Sequence, residues 1–244
     1  MKKKIRLGVN IDHVATLRNA RNEDHPNLME VASLLYSLKV DLITIHLRED
    51  RRHIKDNDVE DLRKQNVLPL NLEMAATDEM KEICLKTRPY ACCLVPERRE
   101  ELTTEGGLDV KNQLDYLGKF IPDVTSSGIK LSLFVDPDID QISHAFDLGA
   151  NAVEIHTGKF SRCFKEDNNN FEFERIKKAA LHCKKLGLDC HAGHGLNFDN
   201  AAQIALIENI IELNVGHFLI SNSIFDGLEN TIKKFMKIIN HPGI

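Results

Sequence analysis

Leu7-Gly8-Val9-Asn10-Ile11-Asp12-His13-Val14 is the stretch on which the choice of fold turns. Leu7–Ile11 is short and apolar, and polar residues come directly after it, as expected of a buried parallel strand. An open, doubly wound sheet that binds a dinucleotide carries a glycine-rich turn directly after its first strand. Asn10-Ile11-Asp12-His13-Val14 occupies that place here. A closed (β/α)8 barrel makes no such demand, so the choice passes to how often the pattern repeats.

It repeats along the whole chain. Further apolar runs stand at Leu42–Leu47, Leu68–Met74, Tyr90–Val95, Ile129–Val135, Ala152–Ile155, Leu188–Ala192 and His217–Ile220. Helical spacing of apolar residues fills the intervals at Asn27–Leu38, Val59–Lys64, Asp78–Lys86, Asp138–Leu148, Phe171–Leu186, Asn200–Ile211 and Leu228–Ile239. Thr77 reads as a helix start, with Asp78 and Glu79 in the first turn, and Gly149 and Gly187 read as helix ends. Eight strands alternating with helices in 244 residues predict an α/β fold, a single-domain (β/α)8 TIM barrel with additional helices spanning residues 1–244. Long connections are expected at Glu97–Asp109 and Thr157–Asn170, lengths typical of lids and binding loops.

Composition narrows the class of function. Hydrophobic residues at 42% and charged residues at 28% argue against disorder. A formal net charge of −5 gives no basic surface for nucleic acid. Lys2, Lys3, Lys4 and Arg6 make a basic start, but Asn10, Asp12 and His13 break up the apolar run beyond it, so neither a signal peptide nor a membrane span is expected. The six cysteines form no C-x-x-C pair, and reduced thiols in a cytoplasmic protein are the expectation.

Side chains alternate along a strand, so every second residue of a barrel strand points inward. One face of each strand is apolar: Val9 and Ile11, Ile43 and Ile45, Leu70 and Leu72, Val153 and Ile155. The other carries Asn10 and Asp12, Thr44 and His46, Asn71 and Glu73, and Glu154 and His156. An unpaired polar group buried in a core costs ~1–3 kcal/mol, so this many on one face fit a polar pocket at the C-terminal mouth. A hydrogen-bonded network without chemistry is the alternative. Cys190-His191-Ala192-Gly193-His194-Gly195-Leu196, and Ser221-Asn222-Ser223 after the expected eighth strand, stand where barrels commonly bind phosphate. Arg18, Arg21, Arg48, Arg51 and Arg52 could serve phosphates too, or form a solvated basic surface. Three chemistries remain open on residue types alone. These are acid–base catalysis, a metal held among His46, Glu73, Glu154, His156 and His194, and a Schiff base on Lys159. A phosphometabolite-binding barrel without catalysis is a fourth reading.

Longer motifs carry a resemblance. Asn10-Ile11-Asp12-His13-Val14-Ala15-Thr16-Leu17-Arg18-Asn19-Ala20-Arg21 resembles the opening signature of the pyridoxine 5′-phosphate synthase family. His46-Leu47-Arg48-Glu49-Asp50-Arg51-Arg52-His53, Asn71-Leu72-Glu73-Met74, Cys92-Cys93-Leu94-Val95-Pro96-Glu97 and Leu102-Thr103-Thr104-Glu105-Gly106-Gly107-Leu108-Asp109 come next in the family's order. So do Glu154-Ile155-His156-Thr157-Gly158, Ala192-Gly193-His194-Gly195-Leu196 and Asn214-Val215-Gly216-His217. The resemblance implies a barrel that condenses 1-deoxy-D-xylulose 5-phosphate with 3-amino-2-oxopropyl phosphate, closing a pyridine ring. It implies a homo-octamer that needs no metal and no organic cofactor.

Carried over by motif, His46 and Glu73 would accept protons, His194 would donate one, and Glu154 would stabilise the transition state. Asn10, Arg21, Gly195, Gly216 and His217 would bind the amino-oxopropyl phosphate. Asp12, His13, Arg48, His53 and Thr103 would bind deoxyxylulose phosphate, and Glu97–Asp109 would close over both. Two positions depart from the family pattern: Asn222 stands where many members have arginine, and His191 where an asparagine often stands.

Overall fold

The computed structural model describes residues 4–97, 106–165 and 169–241. Eight parallel strands form one closed barrel in sequence order. They are β1 (Arg6–Asn10), β2 (Leu42–His46), β3 (Leu70–Met74), β4 (Ala91–Leu94), β5 (Lys130–Val135), β6 (Ala152–His156), β7 (Asp189–Gly193) and β8 (Ile210–Val215). Closure comes from β1 against β8, with Leu7 opposite Leu213 and Val9 opposite Val215.

The first seven strands fall where the apolar runs place them. The eighth does not. His217–Ile220 is the first turn of a helix, and the barrel closes through Ile210–Val215, part of which reads as helix in the sequence. Ile204, Ile207, Ile210 and Ile211 keep helical spacing, and periodicity over so short an apolar run cannot tell a strand from a helix. Pairing settles it: Leu213 lies opposite Ala192 of β7 on one side and Leu7 of β1 on the other. The helix before it ends at Ala205.

The helices are α1 (Asp12–Arg21), α2 (Leu28–Ser37), α3 (Asp56–Gln65), α4 (Asp78–Thr87), α5 (Leu114–Thr125) and α6 (Ile139–Asp147). They continue with α7 (Gly158–Arg162), α8 (Asn169–Leu186), α9 (Ala201–Ala205), α10 (His217–Asp226) and α11 (Leu228–Asn240). Thr77 caps α4 as expected, its side chain accepting from the Met80 N–H. Asn27 and Asp138 cap α2 and α6 in the same way. Gly149 and Gly187 take φ of +84° and +79°, the left-handed conformation that glycine adopts without a Cβ clash.

The main core lies between the barrel and its helices. Leu7, Val9, Ile45, Leu72, Leu133, Val153, Ile155 and Leu213 are all fully buried there. Each such side chain contributes about 1.5–3 kcal/mol of burial. This leaves the barrel lumen to the polar set. Asn214 Nδ2 donates to Glu154 Oε2 at 2.7 Å and to Glu212 Oε1 at 3.3 Å, while Thr44 Oγ1 donates to Asn214 Oδ1 at 3.3 Å. Nearer the N-terminal end, Arg6 and His191 reach Glu212 at 3.0 and 3.2 Å. His191 therefore joins a polar cluster with Glu212 and Arg6 within the barrel. Asn222 lies on α10, donating to Asp226 and to Thr231.

Candidate active site

A cavity of about 370 Å³ opens at the C-terminal mouth. That lies within the ~300–1,000 Å³ usual for small-molecule sites. It gathers Asn10, Asp12, His13, His46, Arg48, His53, Glu73, Glu154, His194, Gly195, Gly216 and His217 from across the sequence. Asn10, His46, Glu73 and Glu154 come from strands, which fix them more firmly than loops would. His13 and His217 stand at the starts of α1 and α10, their rings 5.0 Å apart.

One residue expected in the site does not line it, and another falls outside the described structure. Arg21 sits at the end of α1 with its side chain 80% exposed and Glu23 3.8 Å away. Thr103 lies outside the described residues. The arginine cluster also divides. Arg18 makes two bonds to Asp58, at 2.6 and 2.8 Å, Arg51 pairs with Asp56 and Glu79, and Arg52 pairs with Asp50. Arg48 alone of the five lines the cavity. Lys159 is exposed on α7 and does not line it.

Three lining residues do not stand out in the sequence: Val95, Phe134 and Asn214. Asn214 has a usable signal, because Glu212 and Asn214 alternate with Leu213 and Val215 just as the polar residues of the other strands alternate. Placing β8 at His217–Ile220 hides it. Glu97, just after β4, also reaches the site: it lies 3.4 Å from His46 Nε2 and 3.5 Å from Arg48 Nε, and it accepts from the Glu49 N–H. Burial pushes its carboxyl up, but His46 and Arg48 outweigh this and hold it below the usual range.

Burial decides the resting charges. Glu73 is pushed well above 4.5 by burial and then by the carboxylates of Glu154 and Asp12, despite a bond from Asn10. Burial raises Glu154 to about 8, the Asn214 bond opposing and Glu212 adding. Asp12 is raised by burial, although His46, Asn10 and Arg48 all favour its charged form. His194 is lowered to about 4 by burial and by His156, Arg162 and His217. His53 is lowered to about 4 by burial and then by His13, Arg52, Arg48 and His46. Burial thus raises the carboxyls of Asp12, Glu73 and Glu154 and lowers the imidazoles of His53 and His194, disfavouring the charged form of each.

His194 also has a φ of +77°, unusual for a residue with a Cβ. Thr157 Oγ1 donates to the carbonyls of Gly193 and His194, both at 2.7 Å, holding this turn in place. Gly193 permits close approach, since a Cβ there would come within 2.3 Å of Glu154 Oε1. Asp12, His46 and Glu73 offer ligand atoms within 4.8 Å of one another, a spacing compatible with a cation among the described residues. The hydrogen bonds of this group run within the protein, with Asp12 Oδ1 accepting from the His46 N–H at 2.8 Å.

The family model described as pyridoxal phosphate biosynthesis protein PdxJ matches residues 7–241. A pyridoxine 5′-phosphate synthase of Ehrlichia chaffeensis is 52% identical over 235 residues, which cover 96% of this chain and 97% of that protein. The pyridoxine 5′-phosphate synthase of Zymomonas mobilis is 52% identical over 240 residues, covering 98% and 93%. Among solved structures, the tryptophan synthase A-subunit of Pyrococcus furiosus aligns over 100% of both chains with a TM-score of 0.61 at 12% identity. At that identity the likeness concerns the barrel fold alone.

Proposed function

We propose, since the chain belongs to the family described as pyridoxal phosphate biosynthesis protein PdxJ, that it synthesises pyridoxine 5′-phosphate. The substrates are 1-deoxy-D-xylulose 5-phosphate and 3-amino-2-oxopropyl phosphate, and inorganic phosphate and water leave with the product. The observation that carries this reading is the convergence of family-motif residues from β1, β2, β3, β6 and the turn after β7 on one cavity. No helix among the described residues is long and apolar enough to cross a membrane.

The chemistry is acid–base. Joining an amine to a ketone requires protons to move at each addition and dehydration, and each well-placed group contributes ~10²–10⁴-fold. His46 and Glu73 serve as acceptors, His194 as donor, and Glu154 stabilises charge in the transition state. His194 is neutral at rest, so the proton it donates is one it first collects from the reacting molecules. Burial and the neighbouring carboxyls favour the protonated form of Glu73, and an arriving ammonium group would favour its ionised, accepting form. Asn10, Gly195, Gly216 and His217 hold the amino-oxopropyl phosphate, and Asp12, His13, Arg48 and His53 hold deoxyxylulose phosphate. Arg21 and Thr103 complete the two sets in the family pattern. The residues act without a metal or organic cofactor in this scheme.

The test is incubation of the purified protein with both phosphorylated substrates after exhaustive chelation. Pyridoxine 5′-phosphate released with an equivalent of inorganic phosphate supports the proposal. Absence of product, or activity that returns only with an added divalent metal, overturns it. We further propose a single-domain chain that works in the cytoplasm as a homo-octamer. Native mass spectrometry tests the oligomer, and a monomer mass at working concentration counts against it.

A further inference from the structure

His156 ends β6 and is an inward histidine that the acid–base scheme leaves unused. Its side chain is fully buried, and its Nδ1 lies 3.1 Å from Asp136 Oδ1, just after β5. Its ring packs edge to face against His194 at 5.0 Å and against Phe134 at 5.1 Å. Phe134 also lies near the His194 ring, at 6.5 Å. A Cβ on Gly158 would come within 2.5 Å of His156 Nε2 and 3.0 Å of His194 Cδ2, so the start of α7 presses on both rings. His156 does not line the cavity, so it can influence the chemistry only through a neighbour.

We propose that His156, tethered by Asp136, is a positioning residue for His194. It sets the orientation of that ring and keeps it free of its proton until substrate arrives. The proposal rests on the reading of His194 as the proton donor.

The tether has a defined direction. The His156 bond holds the Asp136 carboxyl below the usual range, against burial, so Asp136 accepts and His156 Nδ1–H donates. Asp136 also receives the backbone N–H of Gly107, where the connection between β4 and α5 returns to described structure. A Cβ on Gly107 would meet the Asp136 N at 2.0 Å, so the backbones touch at this point. One carboxylate therefore links that connection, His156 and, through His156, the His194 ring. The charged and titratable groups facing His194 are His156 from β6, Arg162 from α7 and His217 from α10, and each disfavours its protonated form. His156 is the one of the three that also touches the ring. His194 has an unusual backbone conformation, and a ring on such a backbone gains most from being braced by its neighbours.

Two variants test the proposal in the full-length protein. His156→Phe keeps an aromatic ring in place and removes the imidazole nitrogens. Asp136→Asn, at a partly exposed site, removes only the charged tether. NMR of histidine labelled at Cε1, with His194→Asn for assignment, reads the proton on His194 directly. In the wild type the His194 signal should stay at its neutral position down to about pH 5. In His156→Phe it should move by about one pH unit toward the ordinary value of 6.5. In Asp136→Asn, kcat should fall by about 10–100-fold with KM unchanged, because ring orientation rather than substrate contact is lost. Identical His194 titration in wild type and His156→Phe overturns the proposal, as does full kcat in Asp136→Asn. The titration is read without substrate, so it remains decisive even if the protein makes no pyridoxine 5′-phosphate.

Discussion

Replacing Glu154 with glutamine should make the folded protein relatively more stable as pH rises. Glu154 is 3% exposed, and its side chain meets Asn214, Glu212 and the Gly193 backbone within the barrel. Its carboxyl is raised from 4.5 to about 8, chiefly by burial. A proton held more tightly in the folded chain than in the unfolded one contributes stability that is fully present below pH 4.5. That contribution is lost as pH climbs toward about 8. Each pH unit in that window is worth ~1.4 kcal/mol, which bounds the loss at ~5 kcal/mol; a loss of ~2–5 kcal/mol is expected after relaxation of the surrounding carboxyls. Glutamine has nearly the same shape and can still accept the Asn214 bond, but it has no proton to lose. Urea unfolding of both proteins at pH 5, 6, 7 and 8, at one protein concentration, measures the difference. The variant should gain on the wild type steadily from pH 5 to 8. A difference independent of pH across that range would falsify the assignment of Glu154 as a neutral buried carboxyl.

Three further outcomes are expected from the same geometry. Gly193→Ala places a methyl group 2.3 Å from Glu154 Oε1, so turnover should fall at least about tenfold, with a folded far-UV signal retained; undiminished kcat would show that Glu154 can shift without consequence. Lys159→Ala should leave turnover within about twofold of wild type, since that lysine is exposed and outside the cavity, and abolished activity in a folded variant would revive a Schiff-base mechanism. Arg18→Ala strands Asp58, whose two oxygens it holds and which also accepts from the Lys55 N–H. Thermal unfolding should report a loss of about 1–3 kcal/mol with KM for both substrates unchanged, and a selective rise in KM would instead make Arg18 a phosphate ligand.

Sequence alone settled the elements that depend on local chemistry. Strand-length apolar runs, helix caps such as Thr77, and glycines at helix ends were all legible, because each acts over a few residues. Alternation also separated Asn10, His46, Glu73 and Glu154 from their apolar neighbours, since a strand has only two faces. The same rule applies to Glu212 and Asn214, yet their strand was misplaced, because Ile204–Ile211 carries a helical spacing that only pairing with Leu7 and Ala192 overrides. Which arginine faces the cavity was not legible either. Arg18, Arg48, Arg51 and Arg52 have the same side chain and lie in two neighbouring segments, and which of them a carboxylate claims depends on how the chain folds, with Asp58 reaching Arg18 across 40 residues while Asp56 and Asp50 pair locally with Arg51 and Arg52.

Charge state lay furthest from the sequence. A glutamate at a strand end is a carboxylate until something removes water from it. Only barrel closure buries Glu154 beside Glu212 and raises it to about 8, just as burial, with His156, Arg162 and His217 around it, lowers His194 to about 4. The sequence named the reacting groups because alternation is local. The tertiary structure decided where their protons rest, because burial and the field of neighbouring charges come from residues distant along the chain.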